Sequence, residues 1–184
     1  MKSVSLLYLA TSNQIDMMGR SASRHPEVEI SSYNLARMAV SEIPVEGDPP
    51  DIVLVMLPVV ASLDEMKDFL RRRDPGMVVS VGKDPRLWTL NTVPKEKALR
   101  VYEYLSNSGQ DNYDGALDYI LSEFAGFELV PVPPRELPMH GLVDLTRPGE
   151  VYGSLEEYKS GRGWDESNPS VCFSVSREAW VSGN

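Results

Sequence analysis

Four small or polar residues, Ser108, Gly109, Asp111 and Asn112, lie between two runs of apolar residues at helical spacing. Amide and carboxylate side chains beside a glycine can bind polar groups of a ligand, and they also end one helix and cap the next. Gly109 suits the left-handed conformation after the first helix, and Asp111 or Asn112 suits the N-cap of the second. We interpret the stretch as a helix-to-helix corner, with a ligand site at Asn112 as the alternative.

Residues with metal-binding or nucleophilic side chains are few. His25 and His140 are the only histidines, and Cys172 is the only cysteine. A single cysteine excludes an internal disulfide and a multi-cysteine zinc cage, and no close spacing supplies three or four metal ligands. No nucleophile elbow supports a serine hydrolase. The sequence predicts no catalytic residue and no metal ligand in this chain; a metal role for His140, in a loop, is the alternative.

Composition limits the class of protein. The 184 residues are 42% hydrophobic and 24% charged, which is typical of a soluble globular domain. The longest apolar run, "IVLVMLPVVA", is too short to span a bilayer, and no secretory signal is evident, so we expect a cytoplasmic protein without a membrane span. A net charge of -9 argues against a nucleic-acid surface. The basic cluster 71–73 is expected at a helix end, where cations complement the helix dipole.

Strands and helices alternate over the first 125 residues. "SVSLLYLA", "DIVLVML" and "MVVSVG" are typical of buried strands, and "VEISSY" alternates as a fourth strand does. Ser62 and Glu65 form a capping box before an amphipathic helix, which makes a βαβ unit with parallel strands. The apolar residues that predict the other helices are Ile15, Met18 and Ala22, then Leu35, Met38 and Ala39, then Ala98, Val101, Tyr102 and Leu105, then Tyr113, Ala116, Leu117, Ile120, Leu121 and Phe124.

This alternation predicts an α/β, flavodoxin-like (Rossmann-like) open parallel sheet with helices on both faces. Such sheets bind ligands beyond the carboxyl ends of their strands. The loop 11–13 offers hydroxyls and an amide at a helix N-terminus but no glycine for close backbone approach, so helix capping is favoured there over nucleotide or flavin binding. The other loops at this edge are 57–62 and 82–86.

The amino-acid composition changes after Gly126. We predict a flavodoxin-like domain over 1–128 and a Pro/Gly-rich extension or linker over 129–168, with a short helix at "SLEEYKS". "SVCFSV" alternates as a strand does, so 169–184 is expected to be the first strand of a following α/β unit, apparently truncated.

Two stretches resemble a known family. "YLSNSGQDN" from Tyr104 to Asn112, followed by Leu117 and Tyr119, is similar to the Y-x-x-x-G-G-x-x-N segment in the N-terminal region of the cobaltochelatase large subunit (CobN type) and the magnesium chelatase large subunit. "VCFSVSREAWVSGN", from Val171 to Asn184, resembles the strand in that family that runs into R-x-x-W-x-x-G-N. The matching positions, which we expect to be structural, are Tyr104, Gly109, Asn112, Tyr119, Arg177, Trp180, Gly183 and Asn184. Ser108 departs from the family pattern, which has glycine there.

The resemblance implies a part of an ATP-dependent chelatase that inserts cobalt, with magnesium as the alternative, into a tetrapyrrole during cobalamin or porphyrinoid biosynthesis. It implies that this chain binds no cofactor itself, because ATP is hydrolysed by ATPase partner subunits and the remainder of the large subunit holds tetrapyrrole and metal. The chain alone is then expected to be inactive, with a structural, gating or partner-docking role. Two alternatives remain: a flavodoxin-like small-ligand binding module and a stand-alone protein-interaction domain.

Overall fold

The computed structural model describes residues 3–136, 141–143 and 151–162. The chain divides into two compact units, Met1–Arg135 and Glu136–Asn184. The helices and strands of the first unit are, in order, β1 (Val4–Ala10), α1 (Ser12–Ala22), β2 (Val28–Asn34), a 3₁₀ helix (Val40–Glu42), β3 (Ile52–Leu57), α2 (Leu63–Arg73), β4 (Met77–Gly82), a second 3₁₀ helix (Leu87–Leu90), α3 (Lys95–Asn107) and α4 (Gln110–Ala125).

The four strands form one parallel sheet in the order β2-β1-β3-β4. Each face of the sheet carries its own apolar cluster. Tyr8 and Leu54 lie on the face covered by α1, α3 and α4, whereas Leu9 and Val55 lie on the face covered by α2 and the two 3₁₀ helices. Burial on both faces explains why the strand sequences are almost continuously apolar. The predicted α/β, flavodoxin-like fold is confirmed.

Local signals set most helix boundaries. The Ser62 hydroxyl accepts a hydrogen bond from the Glu65 N–H at 3.2 Å, as the predicted capping box requires. Thr11 is the N-cap of α1, and its backbone N–H donates to the Gln14 Oε1 at 3.0 Å. Asp74, with φ of 48°, ends α2.

The helix predicted around Leu35, Met38 and Ala39 is wrong. The Asn34 side chain accepts a hydrogen bond from the Ala36 N–H at 3.0 Å, and the Asn34 carbonyl accepts from the N–H groups of Arg37 and Met38. The chain makes one turn there and continues into the 3₁₀ helix. An asparagine side chain that binds its own following backbone favours a turn, and three apolar residues are too few to propagate a helix against it.

The described part of the second unit is small. Leu142–Val143 (β5) pairs antiparallel with Val151–Tyr152 (β6), and Leu155–Arg162 forms α5. The helix predicted at "SLEEYKS" is therefore confirmed. The Ser154 hydroxyl caps α5 by accepting from the Glu157 N–H at 3.1 Å. The strand predicted within 169–184 lies outside the described residues.

Candidate functional site

The helix corner joins α3 to α4 through two residues with positive φ. Ser108 has φ of 57° and ψ of -169°, and Gly109 has φ of 80° and ψ of 147°. Gly109 therefore has the positive φ that the sequence predicts, but its ψ lies outside the left-handed helical region. α4 begins at Gln110, so the N-cap position belongs to Gly109.

The prediction that Asp111 or Asn112 caps α4 is wrong, since both residues lie within its first turn. Asn112 is buried, and its amide binds the backbone in two places. The Nδ2 group donates to the Ser108 carbonyl at 2.7 Å and to the Arg135 carbonyl at 2.9 Å, while the Oδ1 atom accepts from the Arg135 N–H at 2.8 Å. Asn112 thus pairs with a residue in the proline-rich connection as one strand residue pairs with another.

Tyr104 holds the same connection from α3. Its side chain is buried, and its hydroxyl donates to the Val132 carbonyl at 2.7 Å. A Cβ atom at Gly115 would lie 2.8 Å from the Tyr104 ring and 3.1 Å from the Val132 carbonyl oxygen, so the absent side chain makes room for this contact. We call Tyr104, Asn112 and Gly115 the connection clamp.

Tyr119 flanks the clamp. Its ring centroid lies 6.0 Å from that of Tyr104 and 6.2 Å from that of Phe124. Four of the eight family-motif residues, Tyr104, Gly109, Asn112 and Tyr119, are thus brought to the α3–α4 pair. The other four, Arg177, Trp180, Gly183 and Asn184, lie outside the described residues, as do His140 and Cys172. Sequence reasoning did not identify Gly115 or the connection's carbonyl groups.

At the carboxyl edge of the sheet, Asp84 and Arg86 bind each other and the loop after β3. The Arg86 Nη2 group donates to the Asp84 Oδ2 at 2.7 Å and to the Val60 carbonyl at 3.0 Å, and the Val60 N–H donates to the Asp84 Oδ2 at 3.3 Å. Hydrogen bonds from Arg86 hold the pKa of the Asp84 carboxyl well below its usual range. These hydrogen bonds join the loop after β3 to the loop after β4, so the Asp84 carboxylate is held within the protein.

His25 lies between two carboxylates. Its Nδ1 is 3.3 Å from the Glu27 Oε1, and its Nε2 is 2.9 Å from the Asp118 Oδ1, which links the end of α1 to α4. Among the described residues, no group of three or more His, Cys, Asp or Glu side chains is placed to hold a metal ion. No helix in the same residues is long and apolar enough to cross a membrane.

Comparison with known proteins shows that this chain resembles a solved structure in its fold. No protein-family model matches the chain, and no curated protein matches it. A solved structure, the catalytic subunit of cobaltochelatase from Mycobacterium tuberculosis, matches over 77% of this chain with a TM-score of 0.53 and 18% sequence identity. The matched region is 12% of that subunit, so this chain has the fold of one part of a cobaltochelatase catalytic subunit and spans only a small fraction of its length.

Proposed function

We propose that this chain is the N-terminal domain of the large subunit of an ATP-dependent metal chelatase, which inserts cobalt, or alternatively magnesium, into a tetrapyrrole in cobalamin or porphyrinoid biosynthesis. The observation that supports this most is the likeness of fold to the cobaltochelatase catalytic subunit. The corner sequence from Tyr104 to Asn112 resembles the same family, so two separate properties of the chain point to one kind of protein. The metal and the tetrapyrrole are substrates of the complete complex.

Within that complex, this domain has a structural, gating or docking role. The clamp supports such a role, because the polar atoms of Tyr104 and Asn112 bind backbone groups of 132–135. Those atoms therefore fix the direction of the chain as it leaves α4. A rigid exit is useful to a domain that positions a larger catalytic body.

Metal insertion requires the macrocycle to bend and the metal ion to lose water, and closure of a larger protein around both can supply the distortion. The residues of this chain contribute to that closure by keeping one wall fixed. ATP hydrolysis belongs to the ATPase partner subunits, and substrate contacts belong to the remainder of the large subunit.

The test is reconstitution of metal insertion from separate parts. The chain alone, mixed with a cobalt-free corrinoid precursor and Co²⁺, is expected to show no insertion by absorption spectroscopy. A large subunit lacking the matched region, with its ATPase partners and ATP, is expected to be inactive and to recover when this chain is added. Reactions without ATP are the control. Insertion by the isolated chain, or full activity of the shortened subunit without it, would contradict the proposal.

The two alternatives are examined with the same preparation. A flavodoxin-like small-ligand module would purify with a bound chromophore or nucleotide, visible by absorption. A stand-alone interaction domain would fail to restore activity to the shortened large subunit.

A further inference from the structure

The two edges of the parallel sheet differ in their hydrogen bonding. At β4, the Asn91 side chain accepts from the Ser80 N–H at 2.8 Å and donates to the Ser80 carbonyl at 2.7 Å. Thr92 binds Val78 in the same way. Its hydroxyl accepts from the Val78 N–H at 2.8 Å, and its backbone N–H donates to the Val78 carbonyl at 3.0 Å. The outward backbone groups of Val78 and Ser80 in β4 are therefore satisfied within the chain.

The β2 edge has outward groups of the same kind. The Val4 N–H donates to the Glu27 carbonyl, and the Leu35 N–H donates to the Ala10 carbonyl, both at 2.9 Å. Between these bonds the parallel register is continuous, so the backbones of residues 29, 31 and 33 face β1. The N–H and C=O groups of Ile30 and Ser32 then point away from the sheet.

These outward groups have no hydrogen-bond partner within the part of the chain that the structure describes. An unpaired row of this kind is a template for another strand. The sheet thus has one closed edge and one open edge.

A groove of about 450 Å³ runs beside the open edge. The sheet lines it with residues of β1 and with alternate side chains of β2, those of Glu29, Ser31 and Tyr33. The connection from β2 to β3 lines it from the other side. The charged residues that line it, within the described part of the chain, are four acids and one base, namely Glu29, Glu46, Asp48, Asp51 and Arg73.

The charge that the groove offers to a partner is negative. The single cation, Arg73, donates to the Gly47 carbonyl at 3.1 Å, and the Asp51 carboxylate accepts from the Ser5 N–H and hydroxyl, both at 2.8 Å. Glu29, Glu46 and Asp48 are exposed, and none of them forms an ion pair among the described residues. A partner that places lysine or arginine side chains in the groove has complementary charge.

We propose that an extended, basic segment of a partner protein adds to β2 as a fifth strand. Its backbone pairs with the outward groups of Ile30 and Ser32, and its alternate Lys or Arg side chains enter the groove and meet Glu29, Glu46 and Asp48. Main-chain pairing supplies affinity and side chains in a neighbouring groove supply specificity in this mode of recognition. The proposal goes beyond the proposed function, since it needs only the open edge and the acidic groove.

The test is an NMR titration of the ¹⁵N-labelled full chain with an acetylated heptapeptide that alternates lysine and threonine. We expect saturable shifts concentrated at the amides of Ile30 and Ser32. A heptapeptide with glutamate in place of lysine is the matched control and is expected to produce no such shifts. Shifts confined to other regions, no shifts at all, or equal binding of both peptides would overturn the proposal.

Two sets of variants separate backbone pairing from charge. Ser32→Pro removes one outward N–H, which an edge strand tolerates, whereas Ser32→Ala retains it. Binding should be lost in the first and kept in the second, and equal binding by both would count against strand addition. The double variant Glu46→Gln, Asp48→Asn leaves the strand intact and is expected to weaken binding about fivefold. Unchanged affinity in that variant would exclude recognition by the groove, whether or not Ser32→Pro folds.

Discussion

Ser108 occupies a conformation that favours glycine. Its φ of 57° with ψ of -169° costs a residue with a Cβ atom about 1–3 kcal/mol. Ser108→Gly removes that strain, although the glycine increases the entropy of the unfolded chain. We expect a net gain of about 1 kcal/mol in the free energy of unfolding and a Tm higher by about 2–4 °C, measured by urea and thermal denaturation.

Ser108→Ala is the matched control, because it removes the hydroxyl but keeps the Cβ atom. It is expected to change stability by less than about 0.5 kcal/mol. If alanine stabilised the protein as much as glycine, the hydroxyl rather than the backbone conformation would be the cause. The glycine that the chelatase family has at this position would then need another explanation.

Asn112→Asp distinguishes the clamp from a helix cap. Aspartate replaces asparagine freely at an N-cap, but here the Nδ2 group is a donor to two carbonyl groups, and a carboxylate has no proton to donate. Both Asn112→Asp and Asn112→Ala should lower the free energy of unfolding by about 1–3 kcal/mol, measured by urea denaturation. A neutral Asn112→Asp with a destabilising Asn112→Ala would restore the capping interpretation.

The position of the corner was predictable from sequence, but the role of Asn112 was not. Helical spacing on either side of residues 108–112 and the presence of Gly109 depend on neighbours within a few residues. The bonds of Asn112 depend on Arg135, whose backbone approaches only after α4 has reversed the chain. The preference of asparagine for N-cap positions contains no information about where the chain passes after α4.

Within the strands and helices, two glycines are expected to respond in opposite ways to substitution by alanine. A Cβ atom on Gly82, at the end of β4, would lie 1.9 Å from the Leu57 carbonyl oxygen, whereas one on Gly19, on the exposed side of α1, would meet nothing within 4 Å. We expect Gly82→Ala to cost about 3 kcal/mol or more and Gly19→Ala to gain about 0.5–1 kcal/mol through helix propensity. Chemical denaturation of both variants checks this, and a tolerated Gly82→Ala would refute the close approach of β3 and β4.

Strands and long helices were predictable because their signals repeat. The buried strands are continuous apolar runs, and apolar residues recur at helical spacing over three turns of α4, from Tyr113 to Phe124. A pattern of that length seldom arises by chance. The failed helix after β2 depended on three apolar residues and was overridden by one side chain, that of Asn34. The hydrogen bonds that cover the β4 edge were also unpredictable, since they come from the loop residues Asn91 and Thr92.

For the molecule as a whole, stability should fall at high pH. Burial raises the pKa of Tyr113 to about 12, and burial together with the neighbouring Tyr113 raises that of Tyr8. The unfolded phenols ionise near pH 10. The buried phenols therefore contribute their full share to the free energy of unfolding below about pH 10. That share is lost as the pH rises toward 12, by up to roughly 3 kcal/mol for Tyr113. Urea denaturation at several pH values should show this loss, and Tyr113→Phe should reduce it; an unchanged profile in that variant would contradict the assignment.

The connection clamp also determines where along the chain the first folding unit ends. The sequence places the end of the first domain at 128. Among the described residues, the apolar clusters extend to Leu129, and the polar contacts of Tyr104 and Asn112 reach Val132 and Arg135. A fragment of residues 1–136 should therefore retain the stability of the full chain in urea denaturation. A fragment of residues 1–128 leaves the Tyr104 hydroxyl and the Asn112 amide without their partners and should be less stable by about 1–3 kcal/mol. Equal stability of the two fragments would show that the connection is only attached to the domain, whereas the expected difference would make it part of the fold.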